Sequence, residues 1–202
     1  MRLSDANLAH LSVAVTRPAY DREARGIGIV HFGIGAFHRA HQAAYTDDAM
    51  AAESGDWRIL GVSLRSGNVR DQMRPQNGLY ALVEQSADGS KVRVMGSVAD
   101  VIVAAEERDR LIAALANPAT HIVSFTITEK GYCRAPDGAI DFDVADKGSV
   151  YAYLADAFRQ RRDAGSPGLT LMSCDNLAGN GAQLKRLMTT YLHRHAPELV
   201  SW

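Results

Sequence analysis

Residues 27–42 read IGIVHFGIGAFHRAHQ, and the rest of the chain is placed by them. Ile27 to Phe32 is an apolar run broken by Gly28 and His31, the pattern of a strand buried in a parallel sheet. Gly33-Ile34-Gly35 follows, and then Ala36, Phe37, Ala40, Ala43 and Ala44, which can carry a helix. Strand, tight glycine turn and helix in that order make the first unit of a dinucleotide-binding fold. Gly33 would allow the turn, and Gly35 would let the backbone approach a pyrophosphate with no Cβ in the way. The free N–H groups at the helix start would face the phosphates. The third glycine of the general fingerprint is replaced by His38, so this stretch by itself leaves a purely structural turn open as the alternative.

Outward from the turn, a helix is expected from Phe37 to Glu53, ended by Gly55. Trp57–Leu64, Val98–Ala104, His121–Thr128 and Leu169–Ser173 read as further strands. Glu106–Leu115 is an amphipathic helix with Leu111, Ile112 and Leu115 on one side, and Ser149–Arg162 and Gly181–Arg194 are helices as well. Asn68–Gln76 is a polar connector of helical character, stopped by Pro75 and Asn77-Gly78. Leu79–Glu84 and Lys91–Met95 alternate around Asp88-Gly89, a hairpin signal. Gly131 to Asp146 reads as a long polar loop, and Ser4-Asp5-Ala6-Asn7 as the cap of a short helix. Strands alternating with helices predict an α/β fold, a doubly wound, mostly parallel sheet of the Rossmann type with an inserted β-hairpin. Residues 1–26 are an N-terminal extension and 27–202 the dinucleotide-binding domain.

A chain of 202 residues can bury about 70% of its unfolded surface as one domain. The net charge of −1 offers no electrostatic case for nucleic acid or an anionic membrane. Its one basic cluster, Arg159-Gln160-Arg161-Arg162, reads as a solvated face near a helix C-terminus. Cys133 and Cys174 form no C-x-x-C pair and suit a reducing compartment. The start MRLSDANLAHLSV lacks a signal pattern and no run reaches membrane-spanning length, so a cytoplasmic protein is expected.

Three stretches fall just beyond strand C-terminal ends, where open α/β sheets bind ligands: Gly33 to Phe37, Thr126 to Gly131, and Ser173 to Asn176. With GVSLRS and PQNGLY between them, the segments GIGAFHRAHQ, TITEKGYC and SCDNLAGNG occur in an order that resembles the polyol-specific long-chain dehydrogenases. That family includes mannitol 2-dehydrogenase, fructuronate reductase and arabinitol dehydrogenase, and the likeness covers residues 17–202. It carries histidine where the general fingerprint has its third glycine. The resemblance implies metal-independent hydride transfer between a nicotinamide cofactor and a polyol or ketose. It assigns cofactor binding to Gly33, Ile34, Gly35, Ala36, Phe37 and Thr128. By the same likeness Asn176 would hold the substrate oxygen, and Glu129 would lie beside a proton route to solvent. A turn residue bonding its own backbone is the plainer account of Asn176.

The family's general base is a lysine on a C-terminal helical domain, and neither Lys130 nor Lys185 matches its motif. The chain is therefore expected to be a cofactor domain, inactive alone; a non-catalytic nucleotide-binding module is the alternative. NAD enzymes place a carboxylate after the second strand. Here Glu53 and Asp56 precede that strand and Arg65-Ser66-Gly67-Asn68 follows it, so the resemblance points to NAD while Arg65 leaves NADP open. His38 and His41, three apart on one helix face, form no recognised metal ligand set, and Asp141 and Asp143 read as solvent-facing. No Tyr is followed four residues later by Lys, and neither a phosphate-binding G-x-x-x-x-G-K-[ST] loop nor a G-x-S-x-G elbow is present. The oligomeric state is left open.

Overall fold

The computed structural model describes residues 2–202. Along the chain the strands are β1 (Val15–Thr16), β2 (Ile27–Phe32), β3 (Arg58–Ser63), β4 (Tyr80–Ser86), β5 (Gly89–Met95), β6 (Val98–Val103), β7 (Ile122–Phe125) and β8 (Thr170–Ser173). The helices are α1 (Ala36–Ala40), α2 (Gln42–Ala52), α3 (Asn68–Met73), α4 (Arg108–Ala116), α5 (Thr128–Gly131), α6 (Phe142–Ala145), α7 (Val150–Asp163) and α8 (Asn180–His195).

β2 lies in the middle of a five-stranded parallel sheet of order β6-β3-β2-β7-β8. The chain builds β3 and β6 on one side of β2, then returns to add β7 and β8 on the other. The winding reverses between β2 and β7, the switch point where such sheets bind ligands. Val30 pairs with Leu60 and Val123, and Phe32 with Val62 and Phe125. These residues form one core with the inner faces of α4, α7 and α8, where Leu111, Leu115, Leu154 and Leu187 are buried. Each such side chain stabilises the fold by about 1.5–3 kcal/mol. The opposite face holds a smaller core of Ile29, Ile34, Ala43, Ile59, Met73 and Val101, covered by α2 and α3.

The hairpin β4–β5 is antiparallel, with Ser86 paired to Gly89 across Ala87-Asp88. β1 adds to it in parallel, so the first residues complete a three-stranded sheet of order β1-β5-β4. Arg22, 6% exposed, fastens this unit: Nε donates to the Gly96 carbonyl at 3.0 Å and Nη2 to that of Asn77 at 2.6 Å, while Nη1 pairs with Asp5. Buried Asp47 of α2 accepts from Tyr20 Oη at 2.7 Å and from the Gly96 amide at 2.8 Å.

Five expectations change. The helix predicted over 37–53 is two helices, because the backbone at His41 leaves the helical region (φ −120°, ψ −89°). The strand predicted through Thr128 ends at Phe125, and TEKG coils into α5. The loop 131–146 contains α6, whose N-terminus Asp141 caps by accepting from the Val144 amide, so Asp141 is not a bystander. Ser4 makes no side-chain cap; its carbonyl accepts from Asn7 at the start of a 3-10 turn over Asp5–His10. Arg161 is not on a solvated face: it is wholly buried and donates to the carbonyls of Leu115, Asn117 and Pro167 at 2.7–3.1 Å. Two of those carbonyls close α4, so the arginine serves as the C-terminal cap of its neighbour. No described helix is long and apolar enough to cross a membrane.

Candidate functional site

The sheet's switch point opens into a cleft of about 660 Å³, lined by Gly33, Gly35, Ala36, Phe37, Thr126, Thr128, Cys174, Asp175 and Asn176. All three strand-end stretches therefore meet. Gly33 has φ +95°, and a Cβ there would stand 2.0 Å from the Thr126 carbonyl oxygen, so glycine is required by the protein itself. Gly35 is different. A Cβ at position 35 would meet nothing closer than the Gly33 oxygen at 3.8 Å. The space beside it is open to the cleft, as needed for a ligand's approach to the backbone. Ile34 turns the other way, 2% exposed, into the smaller core, so its part in the site is its backbone.

The turn rests on a buried polar chain. Ser124 Oγ lies 3.0 Å from Gln42 Oε1 and 2.8 Å from His31 Nδ1. Thr126 Oγ1 in turn lies 2.9 Å from His31 Nε2 and donates to the Gly33 carbonyl at 2.7 Å. His38 stacks on His31, with ring centroids 3.5 Å apart and planes within 15°. Burial pushes His31 down to about 3. Burial, with repulsion from His31 and Arg39, pushes His38 down to about 2, so both rings are neutral. His41 stacks on Phe37 instead, with ring centroids 4.3 Å apart.

The far wall is organised by Asp175. Its carboxylate accepts from the amides of Ile127 (3.1 Å) and Thr128 (3.0 Å) and from Tyr132 Oη (2.8 Å), and its carbonyl accepts from Asn180 Nδ2 (3.1 Å). These bonds hold Thr128 at φ +63°, a left-handed conformation that a β-branched residue resists at a cost of about 1–3 kcal/mol. Asn176 is exposed on the cleft wall and its side chain bonds to no described residue. Asp175 and Asn180 carry the turn. Cys174 is half-buried beside them, and burial together with the Asp175 carboxylate raises its thiol, keeping it protonated.

Of the residues singled out in the sequence, Gly33, Gly35, Ala36, Phe37, Thr128 and Asn176 line the cleft. Glu129 is exposed on α5 and Arg65 is exposed just past β3; neither is on the cleft wall. Thr126 and Asp175, which fall inside the strand-end stretches without an assigned role of their own, also line the cleft.

A parallel sheet wound in this order, with a glycine turn open to its switch point, defines a dinucleotide-binding domain of the Rossmann class. Residues 27–202 match the mannitol dehydrogenase Rossmann domain, and the chain belongs to that family. It is 38% identical to a mannitol 2-dehydrogenase of Phaeosphaeria nodorum, over all of this chain and 38% of that protein. It is also 38% identical to a polyol:NADP oxidoreductase of Gluconobacter oxydans, over 96% of this chain and 43% of the other. Among solved structures, the ternary complex of Pseudomonas fluorescens mannitol 2-dehydrogenase with NAD and D-mannitol superposes with a TM-score of 0.90 at 40% identity, covering all of this chain and 44% of that one. The chain thus spans about two fifths of the length of these relatives.

Proposed function

We propose that this chain is the cofactor domain of a metal-independent polyol or sugar-acid dehydrogenase, with NAD as cofactor and NADP as the second possibility. The observation that carries the reading is the unfilled space at Gly35 beside a glycine turn fixed by Gly33 and Thr126. The relative solved with NAD and D-mannitol supports the same cofactor and substrate class here. When bound, the nicotinamide would accept or supply the hydride. The chain's own residues do the rest. Gly33, Gly35 and the first amides of α1 would hold the pyrophosphate, Ala36 and Phe37 would wall that side of the cleft, and Thr128 would help to hold the cofactor from the facing wall. Asn176, with its amide free of other bonds, holds the substrate oxygen and steadies the negative charge that grows on it. Glu129 stands one residue outside the cleft, at the solvent side, where a carboxylate can relay a proton outward.

No acidic residue stands in 64–70, directly after β3, whereas exposed Arg65 does, free of ion pairs among the described residues. That arrangement accommodates a 2′-phosphate, as in the relative named for NADP. Titration with NADH and NADPH, followed by cofactor fluorescence, tests both points. Binding is expected for the wild type and should weaken by about tenfold or more in Gly35→Val, whose fold should be unaffected. Arg65→Ala should weaken NADPH alone. A Gly35→Val variant that binds as well as the wild type would overturn the site.

A further inference from the structure

Beneath the glycine turn, polar contacts stand in line from Gln42 to Ser124 Oγ, from Ser124 Oγ to His31 Nδ1, from His31 Nε2 to Thr126 Oγ1, and from Thr126 Oγ1 to the Gly33 carbonyl. Each needs one proton between its two heavy atoms. With Gln42 presenting Oε1, only the two hydroxyls and a neutral imidazole bring a proton each, one fewer than the contacts. A second proton on His31 is excluded, since burial pushes the ring down to about 3. Ser124 and His31 are wholly buried, so bulk water does not reach the gap. One contact would therefore set two lone pairs face to face.

The Gly33 end decides which way the protons run. Its carbonyl can only accept, and it lies 3.2 Å from His31 Nε2 as well as 2.7 Å from Thr126 Oγ1. The ring proton therefore belongs on Nε2, where it faces both oxygens. Nδ1 then takes the Ser124 proton, and the Ser124 oxygen is left to accept from Gln42. Half a turn about the last bond of the Gln42 side chain puts Nε2 where Oε1 stands and supplies the missing proton. Gln42 is half-buried and its Nε2 bonds to no other described residue, so the turn breaks nothing.

What this chain of donors acts on is the Gly33–Ile34 peptide. Among the described residues no peptide is cis, and in a trans peptide the N–H points opposite to the C=O. Donors that hold the Gly33 oxygen against His31 and Thr126 thereby set the Ile34 N–H on the other side. That N–H has no hydrogen-bond partner among the described residues, and Gly33 and Gly35 on either side of it line the cleft.

We propose that Gln42, Ser124, His31 and Thr126 form a one-way donor relay ending on the Gly33 carbonyl, which holds the Ile34 amide outward for an anionic group in the cleft. His31 acts through Thr126 and is a positioning residue. The sense of the relay follows from the chain's own atoms; its purpose rests on reading the cleft as the cofactor site.

To test the sense, the histidines of the chain are labelled with nitrogen-15 and their ring nitrogens read by long-range proton–nitrogen correlation at neutral pH. His31 is expected in the Nε2–H form. Gln42→Glu, whose carboxylate only accepts, should convert it to Nδ1–H. An Nδ1–H ring in the wild type overturns the relay, and so does a ring that Gln42→Glu leaves unchanged. NADH titration tests the purpose. Thr126→Val keeps the shape without the hydroxyl and should weaken binding by about fivefold, and Thr126→Ser should recover it. Equal affinity in the wild type and Thr126→Val, or no recovery in Thr126→Ser, overturns the positioning role. A wild type with His31 as Nε2–H that binds no NADH tells against the cofactor site and leaves the sense of the relay standing.

Discussion

Asp175 uses both carboxylate oxygens and its carbonyl to hold two loops together, while its neighbour Asn176 holds nothing in the described chain. Adjacent polar residues in one turn thus differ: Asp175 is scaffold, and Asn176 keeps its side chain free for the substrate contact proposed above. Asn176→Ala should change stability by no more than about 0.5 kcal/mol. Asp175→Ala strands two amides and should cost about 2–3 kcal/mol, read as a lower urea midpoint. Equal losses for the two would return Asn176 to the turn. The stacked histidines make a second prediction at this scale. Both are neutral in the fold and titrate near 6.5 when unfolded, so unfolding takes up protons as the pH drops. Their contribution is complete above pH 6.5 and is lost from there downward, towards about 3 for His31 and about 2 for His38. Between pH 7.5 and 5.5 each should remove about 1.4 kcal/mol of stability. Arg39 adds to the effect, since its charge opposes protonation of His38. Urea unfolding at the two pH values measures it, and His38→Phe should roughly halve the loss.

At the scale of elements, what periodicity and β-branching encode is what the sequence made legible. The run at 98–104 became β6, the Leu111, Ile112 and Leu115 stripe became the buried side of α4, and the apolar run before the glycine turn became the central strand. The misses have two physical causes, a side-chain bond within one turn or a partner far along the chain. The helix after the glycine turn breaks where the His41 ring bonds back to the Phe37 carbonyl at 2.8 Å and stacks on Phe37. TEKG coils because Asp175 captures its first amide, that of Thr128, from 47 residues away. Arg161 looked like part of a solvated run, and only the packing of α7 on α4 reveals that it reaches the end of its neighbour. Its burial is therefore testable. Arg161→Leu keeps the apolar volume but leaves the Leu115 and Pro167 carbonyls unpaired and the Asn117 carbonyl with the Thr120 amide alone, and should cost about 3 kcal/mol in urea unfolding. Arg162→Leu, whose partner is the exposed neighbour Asp163, should cost less than about 0.5 kcal/mol.

For the molecule as a whole, strand order decides where chemistry can occur, and strand order was legible only as an expectation of class. Alternating strands and helices predict a parallel sheet, yet nothing local in Ile122–Phe125 says that it lies beside Ile27–Phe32 rather than at the edge. That adjacency brings Thr126 to Gly33 and creates the cleft. The first 26 residues show the same limit from the other direction. Their pattern is weak, but Arg22 and Tyr20 reach the hairpin and α2, and β1 completes the second sheet. Their energy is non-local, so removing them should be felt far from the terminus. A chain beginning at Arg25 would leave the carbonyls of Gly96 and Asn77 without the Arg22 guanidinium and Asp47 buried without the Tyr20 hydroxyl. Burial already raises the Asp47 carboxyl, and the loss of a donor leaves that charge still less compensated. Hydrogen exchange should then show β4 and β5 opening, while amides of β2, β3 and β7 keep their protection, because the parallel sheet shares no backbone bond with β1. If the hairpin stayed as protected as in the full chain, the N-terminal segment would be an ornament of the fold; if the parallel sheet opened with it, the two sheets would form one cooperative unit.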